Sequence, residues 1–131
     1  MQPQDASEVD VRVRYAECDP GGYLHHAKYF EYLELSRTEL LRASGVSYRE
    51  LESQGFLFVV AKLEIRYKAP IRYDDVVKIH TTVERITRTR VDHSYRMFVD
   101  GVLCTEATST LACVSATDGR PTLMPENLWP A

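Results

Sequence analysis

The chain has 131 residues, 44% of them hydrophobic and 27% charged, a balance that predicts one globular domain over 1–131. A chain of this length buries a sizeable core without metal or disulfide staples. Its 16 Lys and Arg against 19 Asp and Glu give a formal net charge of −3, which argues against general nucleic-acid or anionic-membrane binding.

The first ten residues, MQPQDASEVD, have neither the basic nor the apolar region of a secretory signal. Residues 1–7 are polar and are expected to be loose. Val9, Val11 and Val13 alternate with Asp10, Arg12 and Arg14, predicting a strand with one buried face that runs to about Ala16. Cys18-Asp19-Pro20-Gly21-Gly22 then punctuates the chain. No Gly or Pro occurs from His26 to Ala43. Tyr29, Leu33, Ser36 and Leu40 recur at helical spacing, so a helix of about five turns is expected, stopped by Gly45. Ser47 with Glu50 three residues on predicts a short capped helix ending at Gly55.

After Gly55 the period changes to two. Ala61, Leu63, Ile65 and Tyr67 alternate with Lys62, Glu64, Arg66 and Lys68, a second strand with one wet face. Further strands are expected from Val77 to Thr87, from Val91 to Val99, and from Val102 to Ala116. Asp100-Gly101 is a hairpin turn between the last two. The stretch 121–131 holds three prolines and is expected to be irregular. The longest apolar run, Phe56–Ala61, is six residues, too short to span a bilayer. One helix followed by four successive strands argues for an α+β fold, with a five-stranded antiparallel sheet wrapped around the long helix. Cys18, Cys104 and Cys113 show no CxxC spacing, which predicts free thiols, no zinc site and a reducing, cytoplasmic location.

Tyr15-Ala-Glu-Cys-Asp19-Pro-Gly-Gly-Tyr-Leu-His-His26-Ala-Lys-Tyr29-Phe-Glu-Tyr-Leu-Glu34 resembles the signature of the 4-hydroxybenzoyl-CoA thioesterases and the Tol-Pal-associated acyl-CoA thioesterases, both of hot-dog fold. Tyr67-Lys-Ala-Pro-Ile-Arg-Tyr-Asp-Asp75 is similar to the same family's link between its second and third strands. With the order of elements, the resemblance covers about Val9 to Ala116. It implies the hot-dog topology and hydrolysis of an acyl-CoA to a free acid and CoA, with no metal or redox cofactor. It also implies a homodimer, often paired into a dimer of dimers, with the site between subunits.

Thioester hydrolysis needs a nucleophile or a base that activates water, and positive polarity where the carbonyl oxygen gathers charge. By resemblance Asp19 is the catalytic carboxylate, as nucleophile or as general base; read on its own, it is a turn residue before Pro20. The matching position for the oxyanion donor is the main-chain N–H of His26, at the positive end of the helix. The His26 imidazole either orients Asp19 or is a polar helix-start residue. Tyr15 is placed to hydrogen-bond the carboxylate or to line the pocket. Gly22 lets the backbone turn close to substrate, and Tyr23 stands where the family often has a small aliphatic residue, shaping the acyl site. Arg88, Thr89 and Arg90 fall where the resemblance expects phosphate contacts with CoA; as charges in a turn they equally protect a strand edge. Glu34 is expected to pair with Arg37 or to cap a buried polar network, and is not counted as catalytic. The rival readings are a hot-dog hydratase or dehydratase, and a module that binds acyl-CoA or an acyl-carrier protein without turnover.

Overall fold

Alternating apolar residues form strands here, and the uninterrupted run between the glycines forms the helix. The computed structural model describes residues 6–126. Its elements are β1 (Ala6–Arg12), α1 (His26–Ala43), α2 (Tyr48–Ser53), β2 (Phe56–Tyr67), β3 (Val76–Ile86), β4 (Arg90–Val99) and β5 (Val102–Ser115). The sheet order is β1-β3-β4-β5-β2, with every neighbouring pair antiparallel. The α+β arrangement expected from the pattern is present.

Helix α1 lies across one face of the sheet. It buries Tyr29, Tyr32, Leu33, Ser36 and Leu40, a stripe at i, i+3 and i+4 spacing. Facing it are Val77 and Ile79 of β3, Tyr95 and Met97 of β4, and Cys104 and Ala107 of β5. A second cluster joins Val46, Leu51, Cys113 and Met124. Helix α1 ends in a Schellman motif: Gly45 has φ 83°, its N–H donates to the Arg42 carbonyl at 2.9 Å, and the Val46 N–H donates to that of Leu41 at 3.3 Å. Ser47 Oγ caps α2 by accepting from the Glu50 N–H at 3.3 Å.

Three boundaries differ from the expected ones. Strand β1 starts earlier, because Ala6 and Ser7 pair with Thr82 and Thr81; residues 1–5 of the expected loose tail lie outside the described residues. It ends at Arg12 rather than Ala16, because Tyr15–Glu17 close a 3₁₀ turn. Strand β2 starts at Phe56, and its register shifts between Val60 and Lys62. That bulge at Ala61 reverses which side chains face inward. Phe56 and Phe58 point to the second cluster before it, and Leu63 and Ile65 to the main core after it. Ala61 and Tyr67, expected on the buried face, are exposed.

The C-terminal stretch from Pro121 to Glu126 forms no helix or strand, yet the Thr122 N–H donates to the Cys113 carbonyl and the Met124 N–H to that of Arg88. Residues 127–131 lie outside the described residues. No helix among the described residues is long and apolar enough to cross a membrane.

Candidate active site

The loop after β1 is held from both sides. Val13 is tied to the β2–β3 link by its N–H to the Asp75 carbonyl at 2.9 Å and its carbonyl to the Asp74 N–H at 3.1 Å. The 3₁₀ turn then drives Glu17 inward, where it is 6% exposed. The Glu17 carboxylate accepts from the Arg14 N–H at 2.9 Å, the Arg14 guanidinium at 3.3 Å and the Tyr32 hydroxyl at 2.7 Å. Burial pushes this carboxyl upward. The hydrogen bonds from the Arg14 backbone, the Tyr32 hydroxyl and the Arg14 side chain outweigh that and hold it below the usual carboxylate range. The Glu17 carbonyl also accepts from the His25 N–H at 2.9 Å. One residue therefore fastens the loop to the interior of α1 and to its N-cap.

Asp19 sits at the mouth of the turn that follows. Its Oδ1 accepts from the Gly21 N–H at 3.0 Å and the Tyr23 N–H at 3.1 Å. Its backbone N–H donates to the Tyr23 carbonyl, and its carbonyl accepts from Gly22. Gly22 has φ 84°, in the region that favours glycine. A Cβ on Gly21 would stand 3.3 Å from both Asp19 Oδ1 and the Tyr23 ring. One carboxylate oxygen is thus fixed by backbone, while the other, Oδ2, takes no hydrogen bond among the described residues.

Helix α1 begins beside this loop. His25 is its N-cap, and Nδ1 accepts from the Ala27 N–H at 3.1 Å. Its ring stacks on that of His26 at 4.2 Å. The His26 N–H, first of the helix, has no acceptor among the described residues, as the first N–H groups of a helix have none within it. The Asp19 loop and the helix start that the sequence reading singles out thus lie side by side. It missed Glu17 and Tyr32, because inward rotation of a Glu in a 3₁₀ turn leaves no periodic trace.

The other expected site residues divide by position. The Tyr23 ring lies under the Arg72 guanidinium at 4.9 Å, beside the carboxylate loop. Tyr15 is 79% exposed and meets the Tyr73 ring edge-on at 5.4 Å. Its hydroxyl makes no hydrogen bond to Asp19, so of its two expected roles the chain by itself leaves pocket lining. Arg88, Thr89 and Arg90 sit at the other end of β3, about 33 Å away at ~3.3 Å per residue, and share no site with Asp19 in one chain. Arg88 bonds the Met124 carbonyl at 3.4 Å through its guanidinium, and the Thr89 carbonyl accepts from Cys113. Arg90 is exposed. Glu34 is absent from the ion pairs among the described residues; it and Arg37 border a cavity instead, and Lys28–Glu31 is the pair on that helix turn, at 2.9 Å.

The family described as the thioesterase-like superfamily matches residues 13–130. The chain is 33% identical over 116 residues to the putative acyl-CoA thioesterase YneP of Bacillus subtilis, covering 88% of this chain and 84% of that one. It is 33% identical over 119 residues to the acyl-CoA thioester hydrolase YbgC of Escherichia coli, covering 90% and 89%. A solved DHNA-CoA thioesterase from Staphylococcus aureus superposes with a TM-score of 0.88 at 31% identity, over 94% of this chain and 81% of that one.

Proposed function

The chain belongs to the thioesterase-like superfamily and is a thioester hydrolase of hot-dog fold; from that premise we propose how its residues divide the work on an acyl-CoA. Asp19 is the catalytic carboxylate. Its free Oδ2 either attacks the thioester carbonyl or takes a proton from the attacking water. The His26 N–H and the positive end of α1 bind the oxyanion. The carbon–sulfur bond breaks, CoA leaves as the thiol, and water supplies the hydroxyl of the free acid. The observation that carries this reading is the carboxylate pinned by two backbone N–H groups through one oxygen, with the other left open beside a helix N-terminus. The Tyr15–Glu34 signature supports the narrower kinship with 4-hydroxybenzoyl-CoA and Tol-Pal-associated thioesterases.

The working unit is a homodimer formed through β2, with paired dimers as the larger assembly. Both β1 and β2 are sheet edges. Glu8 of β1 pairs with Lys78 and His80, and Arg12 with Asp74, a charged edge of the kind that resists pairing. The first half of β2, Phe56–Ala61, carries no charge and exposes Val59, Val60 and Ala61, with the Lys62–Glu64 pair lying beyond it. Antiparallel β2–β2 pairing continues the sheet about a two-fold axis normal to it. Both α1 helices then lie on one face and run in opposite directions. That brings the Arg88–Arg90 turn of one subunit toward the helix start of the other, where Arg90 meets the phosphates of CoA. Tyr15, Gly22 and Tyr23 line the entrance. The enzyme acts in the cytoplasm.

The test is thiol release from short, long and aromatic acyl-CoAs and from acyl-carrier protein thioesters, with Asp19→Asn alongside. Turnover of an acyl-CoA that falls at least a thousandfold in Asp19→Asn, with melting and dimer size unchanged, is the expected result. Release from the carrier thioesters only would replace CoA as the carrier. Activity surviving in Asp19→Asn would remove Asp19 from the chemistry.

A further inference from the structure

His25 makes every bond that frames the proposed oxyanion donor. Its N–H donates to the Glu17 carbonyl at 2.9 Å, and its own carbonyl accepts from the Lys28 N–H at 2.9 Å. Its ring accepts from the Ala27 N–H through Nδ1 at 3.1 Å. The N–H of His26, between them, is the one left without an acceptor among the described residues. The two histidine rings also stack, 4.2 Å between centroids and 27° between planes. The direction of the His26 N–H is therefore set by the residue before it.

This cap differs from the usual ones in its dependence on a proton. Ser, Thr, Asp and Asn cap a helix through an oxygen. An imidazole nitrogen accepts only while it carries no proton, so the Ala27 bond requires a neutral ring with its hydrogen on Nε2. A proton on Nδ1 sets donor against donor, and it adds positive charge at the positive end of α1. The charged groups around the helix start are Glu17, Arg14 and Asp19 of the loop, Arg72 of the β2–β3 link, and His26, Lys28 and Glu31 on the helix. Glu17 is taken up by Arg14 and Tyr32, and Lys28 pairs with Glu31. Asp19 Oδ1 is held by backbone, and the Arg72 guanidinium lies over the Tyr23 ring. Among the described residues no carboxylate forms an ion pair with the His25 ring. The ring is exposed and has room to swing outward, giving up the Ala27 bond and the stack together.

We propose that His25 is a positioning residue for the oxyanion: its neutral ring holds the His26 N–H in line, and turnover falls when the ring takes a proton and the cap opens. The inference rests on the thioesterase reading above and adds to it a residue that touches neither substrate nor the reacting atoms. Charge gained on an exposed ring is screened by water, whereas a misplacement of about 1 Å at a reacting centre costs as much as ~100-fold in rate. Loss of alignment is the larger effect.

Two variants separate the cap from the proton. His25→Asn keeps an acceptor that does not titrate, and His25→Ala keeps none. Thiol release from acetyl-CoA, octanoyl-CoA and benzoyl-CoA is followed from about pH 8 to about pH 5, the range in which histidine acts as a switch. At the upper end His25→Asn has kcat within about twofold of wild type, and His25→Ala has kcat lowered about tenfold with KM unchanged. As pH falls, wild-type kcat drops toward that of His25→Ala, while His25→Asn keeps its rate. Equal kcat in His25→Ala and wild type at the upper end overturns the positioning role. An acid fall that His25→Asn shares in full, or that His26→Gln abolishes instead, overturns the dependence on the His25 proton. The Ala27 amide signal in proton–nitrogen NMR spectra reads the cap without turnover, and with the His25→Asn profile it carries the test if His25→Ala does not fold. That signal moves as the His25 ring titrates in wild type and stays in place in His25→Asn. An Ala27 amide that stays fixed while the His25 ring titrates overturns the cap. A wild-type chain that releases no thiol from these acyl-CoAs or from carrier thioesters, with the Ala27 amide moving as expected, removes the thioesterase reading and the positioning role with it, while the cap stands.

Discussion

Glu17 shows how a residue outside the reacting groups sets their geometry. Its carboxylate is buried on three donors, and one of them, the Tyr32 hydroxyl at 2.7 Å, comes from the second turn of α1. Burial and the neighbouring Glu17 charge push the Tyr32 hydroxyl far above its ordinary range, so it stays a donor at any working pH. Tyr32→Phe removes that donor and leaves the carboxylate under-bonded, at a cost of about 1–3 kcal/mol. The expected outcome in urea unfolding is a lowered midpoint, with kcat reduced because the Asp19 loop loses its tie to the helix. Glu17→Gln supplies the pH arm. The folded Glu17 carboxyl titrates below its unfolded value, so its contribution is present above the ordinary carboxylate range and is lost as pH falls through its folded pKa. The stability gap between wild type and Glu17→Gln is therefore widest near neutrality and closes in acid.

Individual elements are decided by their ends. Helix α1 has the bounds that the Gly- and Pro-free run suggests, because capping chemistry sits at both termini. His25 accepts at the start, and Gly45 turns the chain left-handed at the stop. Gly45→Ala forces a Cβ into that conformation at a cost of about 1 kcal/mol. Thermal melting of the variant is expected to drop by several degrees, with the oligomer intact. Strand β2 is the contrasting case. Its alternation after Lys62 was readable, but the inward-facing side switches at Ala61. No local signal marks the bulge, which exists only against the register of β5.

For the whole molecule a second pH response comes from the sheet's inner face. His93 lies between α1 and β4, and burial, reinforced by Arg37 and opposed by Asp92, pushes its pKa down to about 4. The folded protein binds the proton less readily than the unfolded chain. The His93 contribution is complete above the unfolded value and is lost as pH falls from about 6.5 toward about 4. Over that window the shift amounts to about 3 kcal/mol of lost stability at ~1.4 kcal/mol per pKa unit. Chemical denaturation between pH 7 and pH 4, in wild type and in His93→Leu, is the measurement. The variant is expected to lose less stability over this range.

What the sequence determined here was local or periodic. The helix from His26 to Ala43, the hairpin at Asp100-Gly101 and the succession of strands along the chain follow from side-chain period and from the few residues that tolerate a left-handed turn. The Asp19 loop was legible because its glycines, its carboxylate and the helix start are contiguous, so their spacing survives in one dimension. Only the tertiary structure decided the rest. Glu17 faces inward because Tyr32, fifteen residues on, waits there with a hydroxyl. The expected Glu34–Arg37 pair is absent among the described residues, and both residues border a cavity walled by strands far along the chain. Arg88 and Arg90 stand at the end of β3 remote from Asp19, a separation that a list of candidate residues does not contain. Burial, cavity shape and the distance between functional groups depend on which strands pair and in what register. Those depend on contacts between residues too far apart in the chain for any sequence period to record.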